Sequence, residues 1–303
     1  MPILCVLGTV WLWSLIPLAV KVAYQSFNFG FIALSRLAIG TLVFGALELT
    51  SGRGLRLPPR QSEPKPDGFS RIGPVGWVII AGLAIGGDLL LYTLGLRYTT
   101  ASAATLIVST DGVMLAMLGV LVLKERISLL KALAALSALA GLVLVGWNGQ
   151  DLGGLVRSEY FLGNAIVLSA GVCWATYGLG QRVLAQVPGS ALFPIFLVGT
   201  VVAAAATALQ PATNGPIRWQ AVGALLFLGL GATGLAYVLL AKGMRHLEAA
   251  TVGLVGSTLP LFTMVEARLL LREEITSYLL AGAAFIMGGV ALIVRHQSVY
   301  GRP

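Results

Sequence analysis

A segment of this chain occurs twice, 148 positions apart. Residues 84–144 align without a gap on residues 232–292. The matches include glycines and charged residues, which chance seldom brings into register: Gly86 with Gly234, Gly95 with Gly243, Arg97 with Arg245, Glu125 with Glu273 and Gly141 with Gly289. Apolar residues fill most positions between them, which is typical of a membrane-helix unit present in two copies. The chain is therefore expected to fold as two related halves.

The composition is that of a membrane protein. Hydrophobic residues make up 57% of the 303 residues and charged residues 11%, and the mean hydropathy is +0.89, whereas a soluble surface needs far more charge. The net charge of +8 comes from Lys and Arg between apolar runs, so it indicates membrane topology, and no nucleic acid partner is expected. Cys5 and Cys173 lie inside apolar runs, where cysteines are packing residues more often than metal ligands.

Ten apolar runs are long enough to cross a bilayer, because a helix needs about 20 residues to span about 30 Å of hydrocarbon. They cover residues 2–21, 30–49, 74–96, 100–123, 127–147, 160–181, 190–209, 218–241, 249–271 and 276–294. The sequence thus predicts an all-α membrane protein with ten transmembrane helices. The polar segment at about residues 50–73 is predicted to be a cytoplasmic loop.

The Lys and Arg residues predict the orientation. Thirteen of the 20 fall at the N-terminus, at the C-terminus and in the loops on the same side, against six on the alternate side. Both termini are therefore predicted to be cytoplasmic. Since five spans per copy is an odd number, residues 1–148 and 149–303 are expected to be inverted five-helix repeats around a shared midplane site.

Several motifs recur in both halves. Trp13 and Lys21 are eight residues apart, as are Trp174 and Arg182, and residues 98–104, Tyr-Thr-Thr-Ala-Ser-Ala-Ala, begin the fourth predicted helix. With the paired glutamates and the paired Gly141 and Gly289, this ordered set resembles the EamA-type family of the drug/metabolite transporter superfamily. Among its branches the chain is most similar to aromatic amino-acid exporters of the bacterial inner membrane.

The resemblance implies a multi-pass inner-membrane exporter of small metabolites, with aromatic and other neutral amino acids as substrates and no cofactor. Family members usually carry proline in the middle of helices 4 and 9. This chain has Pro260 in the second half but Asp111-Gly112 in the first. The two halves are therefore expected to bend differently.

Four ionisable residues lie inside predicted spans, where a charge costs roughly 2.5–3.5 kcal/mol on insertion scales and usually faces a cavity or a partner. Asp111 is either a cavity-facing acid or the partner of Arg36 in an internal ion pair. Asp88 and Tyr92 are four residues apart and share a helix face, either as a cavity wall or as a packed contact. Glu266 is assigned a structural role near a helix end, where its carboxylate can reach the interface.

Aromatic and hydroxyl side chains complete the candidate substrate site. Trp13, Trp174, Tyr177 and Tyr237 lie within predicted spans, although most such residues in membrane proteins form interfacial belts. With Tyr92 and the hydroxyls of Ser109 and Ser257, they match a mostly apolar ligand site with a few placed polar groups. Glu125 and Glu273 are interpreted as caps at tight helix connections.

The motifs of known membrane enzymes are missing from the sequence, and this distinguishes a transporter from an enzyme. The sequence has no His-Glu-x-x-His, Ile85-Gly86-Gly87-Asp88 departs from the Gly-x-Gly-Asp of membrane aspartyl proteases, and neither His246 nor His296 lies mid-span. We therefore expect a transporter, not an enzyme, with no catalytic or metal-binding residues. The alternatives are efflux of cationic drugs or other metabolites and, more distantly, a passive channel. The expected partners are a small-molecule substrate and the lipid bilayer; a monomer and a dimer both fit the glycine pattern.

Overall fold

The computed structural model of the protein describes residues 2–50, 72–111, 113–115, 117–118, 129–147, 159–184, 191–208, 210–244, 255–256 and 258–300. Within these residues the fold is helical without a strand, and an isolated β-bridge joins Phe27 to Thr213. The helices are α1 (Pro2–Ser14 and Ile16–Ala23), α2 (Phe29–Thr50), α3 (Pro74–Gly95), α4 (Ala101–Val108), α5 (Leu129–Trp147), α6 (Glu159–Leu184), α7 (Leu192–Thr207), α8 (Trp219–Leu226, Phe227–Leu235 and Ala236–Met244), α9 (Leu259–Glu266 and Ala267–Leu271) and α10 (Ser277–Tyr300).

The helices have the length and surface of membrane segments. Among the described residues, five helices are long and apolar enough to cross a bilayer, within α1, α2, α3, α6 and α8, and shorter apolar helices include α5, α7 and α10. Large apolar side chains such as Leu42, Val201 and Leu269 are exposed on the outside of the bundle, which suits lipid and not water. The all-α membrane class is thereby confirmed, and the crossing of the bilayer by all ten helices stays a prediction.

Two helices depart from regular α geometry where they meet. α1 is interrupted at Leu15, because Pro17 has no backbone N–H and its ring clashes with the carbonyl four residues earlier. The Ser14 carbonyl accepts a hydrogen bond from the Thr263 hydroxyl of α9 at 3.1 Å. α9 turns from α- to π-helix after Glu266. Pro260 lies in the first turn of its α-helical part, while Gly112 lies outside the described residues.

α8 contains a nine-residue π-helix, Phe227–Leu235. Its wider turns change which carbonyls have intrahelical partners, and side chains bond to several of them. The Thr233 hydroxyl donates to the Leu228 carbonyl at 2.9 Å, and the Trp13 indole of α1 donates to the Ala232 carbonyl at 3.0 Å. The π-helix therefore meets α1 through a specific hydrogen bond.

Two pairs of helices with the same place in each half run antiparallel. α2 lies against α7 with Gly30 near Thr207 and Gly45 near Phe193. α5 lies against α10, and the Ser137 hydroxyl donates to the Phe285 carbonyl at 2.6 Å. α3 packs on α6, and α8 packs on α1. Each half therefore buries its first and third helices against the other half.

The repeated glycines make equivalent contacts. Gly95 of α3 lies against Gly163 and Val167 of α6, and its copy Gly243 of α8 lies against Pro2 and Val6 of α1. Val167 and Val6 are 161 positions apart, the same offset as Trp174 and Trp13. Small residues let membrane helices approach closely. The matched glycines in the sequence thus mark matched helix contacts.

Another close glycine contact gives a stability prediction, at Gly141. A Cβ added there would meet the Gly282 carbonyl oxygen of α10 at 2.8 Å and Ile286 at 2.5 Å. Gly141→Ala is expected to lower the free energy of unfolding by about 1–3 kcal/mol, the usual cost of overpacking. The measurement is the midpoint of thermal unfolding of the purified protein in detergent.

Gly223 of α8 is the matched control, since a Cβ there meets nothing within 4 Å. Alanine is the better helix former by about 1 kcal/mol, so Gly223→Ala should leave the midpoint unchanged or raise it. Equal midpoints for Gly141→Ala and Gly223→Ala would show that α5 and α10 are not in close contact.

Candidate substrate site

Six aromatic side chains from five helices form one cluster within the bundle. Trp13 contacts Trp174 edge-on at 6.2 Å between ring centroids and Tyr237 at 5.8 Å, and Trp174 contacts Tyr177 at 5.3 Å. Phe196 lies 5.7 Å from Tyr237 and 4.8 Å from Phe44. We call these residues the aromatic cluster: Trp13, Phe44, Trp174, Tyr177, Phe196 and Tyr237.

The repeat-equivalent tryptophans meet where the two halves meet. Trp13 is the second residue before the break in α1, and Trp174 is in the middle of α6. The sequence predicts a shared pocket from these two residues, and the structure brings them into direct contact. Aromatic pairs of this edge-on kind contribute about 0.5–1.5 kcal/mol beyond their buried area.

Two members of the aromatic cluster escape the sequence analysis. Phe44 of α2 and Phe196 of α7 are almost fully buried and touch Tyr237 or Tyr177. They lie outside the aligned repeat segments, and other phenylalanines of the chain, such as Phe161 and Phe285, are exposed on the surface. A phenylalanine within an apolar run carries no signal that separates the two positions.

A group of charged residues lies in the same part of the bundle. Arg36 of α2 and Asp88 of α3 are buried. The Arg36 guanidinium donates from Nε to the Thr233 hydroxyl at 3.0 Å and interacts electrostatically with Asp88 and Tyr237. Asp88 interacts in turn with Asp111. We call Arg36, Asp88 and Asp111 the charged group.

The π-helix of α8 connects the charged group to the aromatic cluster. Its Thr233 accepts the hydrogen bond from Arg36, and its Ala232 carbonyl accepts the one from Trp13. Sequence reasoning places Arg36 only as a partner for Asp111 and misses Thr233. The contact depends on π geometry, for which the Gly-rich run Phe227–Leu235 gives no periodic signal.

The remaining predicted residues are distributed unevenly. Tyr92 is buried in a second apolar cluster with Leu106 and Leu228, beside the charged group. Asp111 is helical and partly exposed. Ser109 donates its hydroxyl to the Thr105 carbonyl of its own helix at 2.8 Å. Ser257 lies outside the described residues.

Glu266 of α9 contacts α1 through its side chain. Its Oε1 accepts a hydrogen bond from the Ser14 hydroxyl of α1 at 3.0 Å. Its Oε2 is buried without a hydrogen-bond partner among the described residues. Because Ser14 lies midway along α1, the carboxylate faces another helix of the bundle.

Glu273 has the capping role that the sequence predicts. Its Oε1 accepts from the Ala101 backbone N–H at 2.8 Å, and its Oε2 accepts from the Ser102 backbone N–H at 3.1 Å. These are the first N–H groups of α4, which have no partner within the helix. Its repeat copy Glu125 lies outside the described residues.

The buried aromatic and charged groups and the apolar exterior define a polytopic α-helical membrane protein. Among the residues described, no three His, Cys, Asp or Glu side chains come together as a metal site. The chain belongs to the EamA-like transporter family, whose model matches residues 1–147 and again residues 161–295. It is a transporter and not an enzyme, and a multi-pass protein of the bacterial inner membrane.

Relatives with similar sequences include transporters of bacteria and archaea. The uncharacterized inner membrane transporter YhbE of Escherichia coli (strain K12) is 27% identical over 273 residues, which cover 88% of this chain and 80% of YhbE. An uncharacterized transporter of Archaeoglobus fulgidus is 27% identical over 230 residues, covering 73% of this chain and 77% of that protein. A crystal structure of a protein with 22% sequence identity superposes on 99% of this chain and on 98% of that protein's chain, with a TM-score of 0.65. At this identity the similarity shows a shared fold and nothing about function.

Proposed function

We propose that this transporter exports small metabolites, with aromatic and other neutral amino acids as its substrates. The observation that carries the proposal is the aromatic cluster beside the charged group at the contact between the two halves. Ligand sites are mostly apolar with a few convergent polar groups, and ionisable residues within membrane helices mark substrate pathways. Trp13, Trp174, Tyr177 and Tyr237 supply the apolar part, and Asp88, Asp111 and Arg36 the polar part.

The signs of the charges favour a zwitterion. An amino acid carries one carboxylate and one ammonium group, and the charged group offers one guanidinium and two carboxylates. Guanidinium groups pair well with carboxylates, and the acids pair with an ammonium. The rings suit a flat apolar side chain. An efflux site for cationic drugs would use the two acids and leave Arg36 without a substrate partner.

Several contacts support transport by alternating access between two inverted repeats, residues 1–148 and 149–303. α2 and α7 run antiparallel, as do α5 and α10, which is the relation that inversion requires of equivalent helices. The family model matches once in each half. Inverted repeats open alternately to either side of a shared midplane site. We also propose that all ten helices span the bilayer and that both termini are cytoplasmic.

The substrate proposal is tested by flux into proteoliposomes that contain the purified protein. Labelled phenylalanine is expected to exchange faster than in protein-free vesicles. Phenethylamine, which lacks the carboxylate, and phenylpropionate, which lacks the ammonium, should each compete about tenfold less well than phenylalanine, since one lost charge contact of about 1.4 kcal/mol changes affinity tenfold.

The competitor series also separates the alternatives. Stronger competition by phenethylamine than by phenylalanine would favour the efflux of cationic compounds. No flux of phenylalanine, tyrosine, tryptophan or neutral aliphatic amino acids above the empty-vesicle rate would refute the amino-acid proposal. Flux that does not saturate would indicate a channel.

A further inference from the structure

One carboxylate joins the two halves at one end of the bundle. Glu273, in the connection between α9 and α10, forms an ion pair with Lys21 of α1 at 3.2 Å. It also accepts hydrogen bonds from the backbone N–H groups of Ala101 and Ser102 and, at 3.0 Å, from the Ser102 hydroxyl. Glu273 belongs to the second half, and all of these partners belong to the first.

The connection before Glu273 holds this carboxylate in position. Arg272 adopts a left-handed backbone conformation with φ 57°, which is costly for a residue with a side chain. The Glu273 backbone N–H donates to the Ala267 carbonyl at 3.2 Å, and Arg268 donates to the Glu273 carbonyl at 3.4 Å. The strained turn places the Glu273 side chain against the start of α4.

A cavity of about 630 Å³ lies at this end of the bundle. Lys21 and Glu273 line it, together with Arg97, Thr99, Asn164 and Arg272. A second cavity of about 340 Å³ shares Lys21 and Arg97. Ala103, one residue past the capped N–H groups, also lines the larger cavity and is only 6% exposed. The ion pair and the nearly buried Ala103 of α4 thus line the same cavity.

We propose that the Lys21–Glu273 ion pair, with the capped start of α4, is a latch that holds this end of the transporter closed, and that the 630 Å³ cavity is the vestibule through which substrate passes when the latch opens. This proposal rests on the alternating access described above. The halves cannot separate here while one carboxylate holds α1, α4 and the α9–α10 connection together. Opening must transfer Lys21 and Glu273 to water.

The side-chain exposures suit a contact that both forms and breaks. Lys21 is 28% exposed and Glu273 10% exposed, so the pair is neither fully hydrated nor sealed. Charge-assisted hydrogen bonds to backbone N–H groups are among the stronger polar contacts. Because water replaces each of these contacts on opening, the closed and open states stay close in free energy, as a gate requires.

The test measures access to Ala103 without any substrate. Ala103→Cys is introduced after Cys5 and Cys173 are replaced by Ser, and a membrane-impermeant maleimide is added to the protein in liposomes. Lys21→Met breaks the ion pair but keeps Glu273 on the α4 N–H groups, and Glu273→Gln weakens both. Each is expected to raise the labelling rate about tenfold, a population shift of about 1.4 kcal/mol.

Glu274→Gln is the matched control, because Glu274 lines the same cavity and is the next residue; its labelling rate should equal that of the parent. The thermal unfolding midpoint of Lys21→Met shows whether the bundle stays folded. If Glu273→Gln does not fold, the labelling of Lys21→Met alone tests the latch. Labelling of folded Lys21→Met at the parent rate would overturn the latch. That result is independent of amino-acid flux, which tests the proposed function.

Discussion

Replacing Arg36 with Met is expected to lower the free energy of unfolding by about 3–5 kcal/mol, the usual cost of removing one partner from a buried charge group. Arg36 is 9% exposed and is the cation that interacts with Asp88. Without it, the buried Asp88 has no cation to offset its repulsion by the partly exposed Asp111. The measurement is thermal or denaturant unfolding of the purified protein, followed by tryptophan fluorescence.

A second substitution separates charge from packing. Asp88→Asn in the Arg36→Met background removes one of the two acids and should restore a large part of the lost stability, so that the two effects are not additive. Arg218→Met is the control, since Arg218 is an exposed residue at the start of α8. If the double variant is as unstable as Arg36→Met alone, Arg36 stabilises the protein through its hydrogen bond to Thr233 and not through the acids.

Trp13→Ala is expected to abolish transport and to destabilise the protein by about 3 kcal/mol, the lower end of the range for buried tryptophans, because Trp13 is partly buried. The indole supplies two ring contacts in the aromatic cluster and the hydrogen bond to the π-helix of α8. Trp11 is two residues earlier in α1 and 53% exposed. Trp11→Ala should therefore keep both flux and stability, as measured in proteoliposomes and by thermal unfolding.

A milder change distinguishes the roles of the ring and the N–H group. Trp13→Phe keeps a six-membered aromatic ring and loses the hydrogen bond to the Ala232 carbonyl together with the volume of the five-membered ring. We expect it to fold and to transport more slowly than the parent. If Trp13→Ala folds and transports at the parent rate, the substrate site lies elsewhere in the bundle.

The sequence predicts those parts of the fold that depend on regular spacing. Apolar runs place helices such as α2, α3 and α6 to within a few residues, because membrane helices need a fixed length. The repeated Gly95 and Gly243 mark equivalent helix contacts, and the repeated Trp13 and Trp174 meet in the aromatic cluster. In each case the same residue type occurs at equivalent positions of the two repeats, and the two copies together predict a helix contact. A single glycine or tryptophan would not predict it.

The parts that the sequence misses depend on which helix faces which. Phe44 and Phe196 are buried in the aromatic cluster, but their sequence context matches that of lipid-facing phenylalanines. The π-helix that brings Thr233 to Arg36 has no periodic signature. Glu273 is recognisable as a cap, yet nothing near it in the sequence shows that it caps a helix of the other half. Such pairings are set by tertiary packing.

The interruption of α1 at Leu15 divides the helix into two segments that can act as two arms of a hinge. Its first part, Pro2–Ser14, lies along the last part of α8, while Ile16–Ala23 lies along Trp219–Leu226 and carries Lys21. Pro17 has no backbone N–H. A rotation of the segment Ile16–Ala23 about Leu15 therefore breaks no helical hydrogen bond donated by Pro17. In the proposed opening, Lys21 leaves Glu273 when the segment Ile16–Ala23 rotates about Leu15. Hinge motions of this kind take microseconds to milliseconds. Trp13, in the segment Pro2–Ser14, keeps its place.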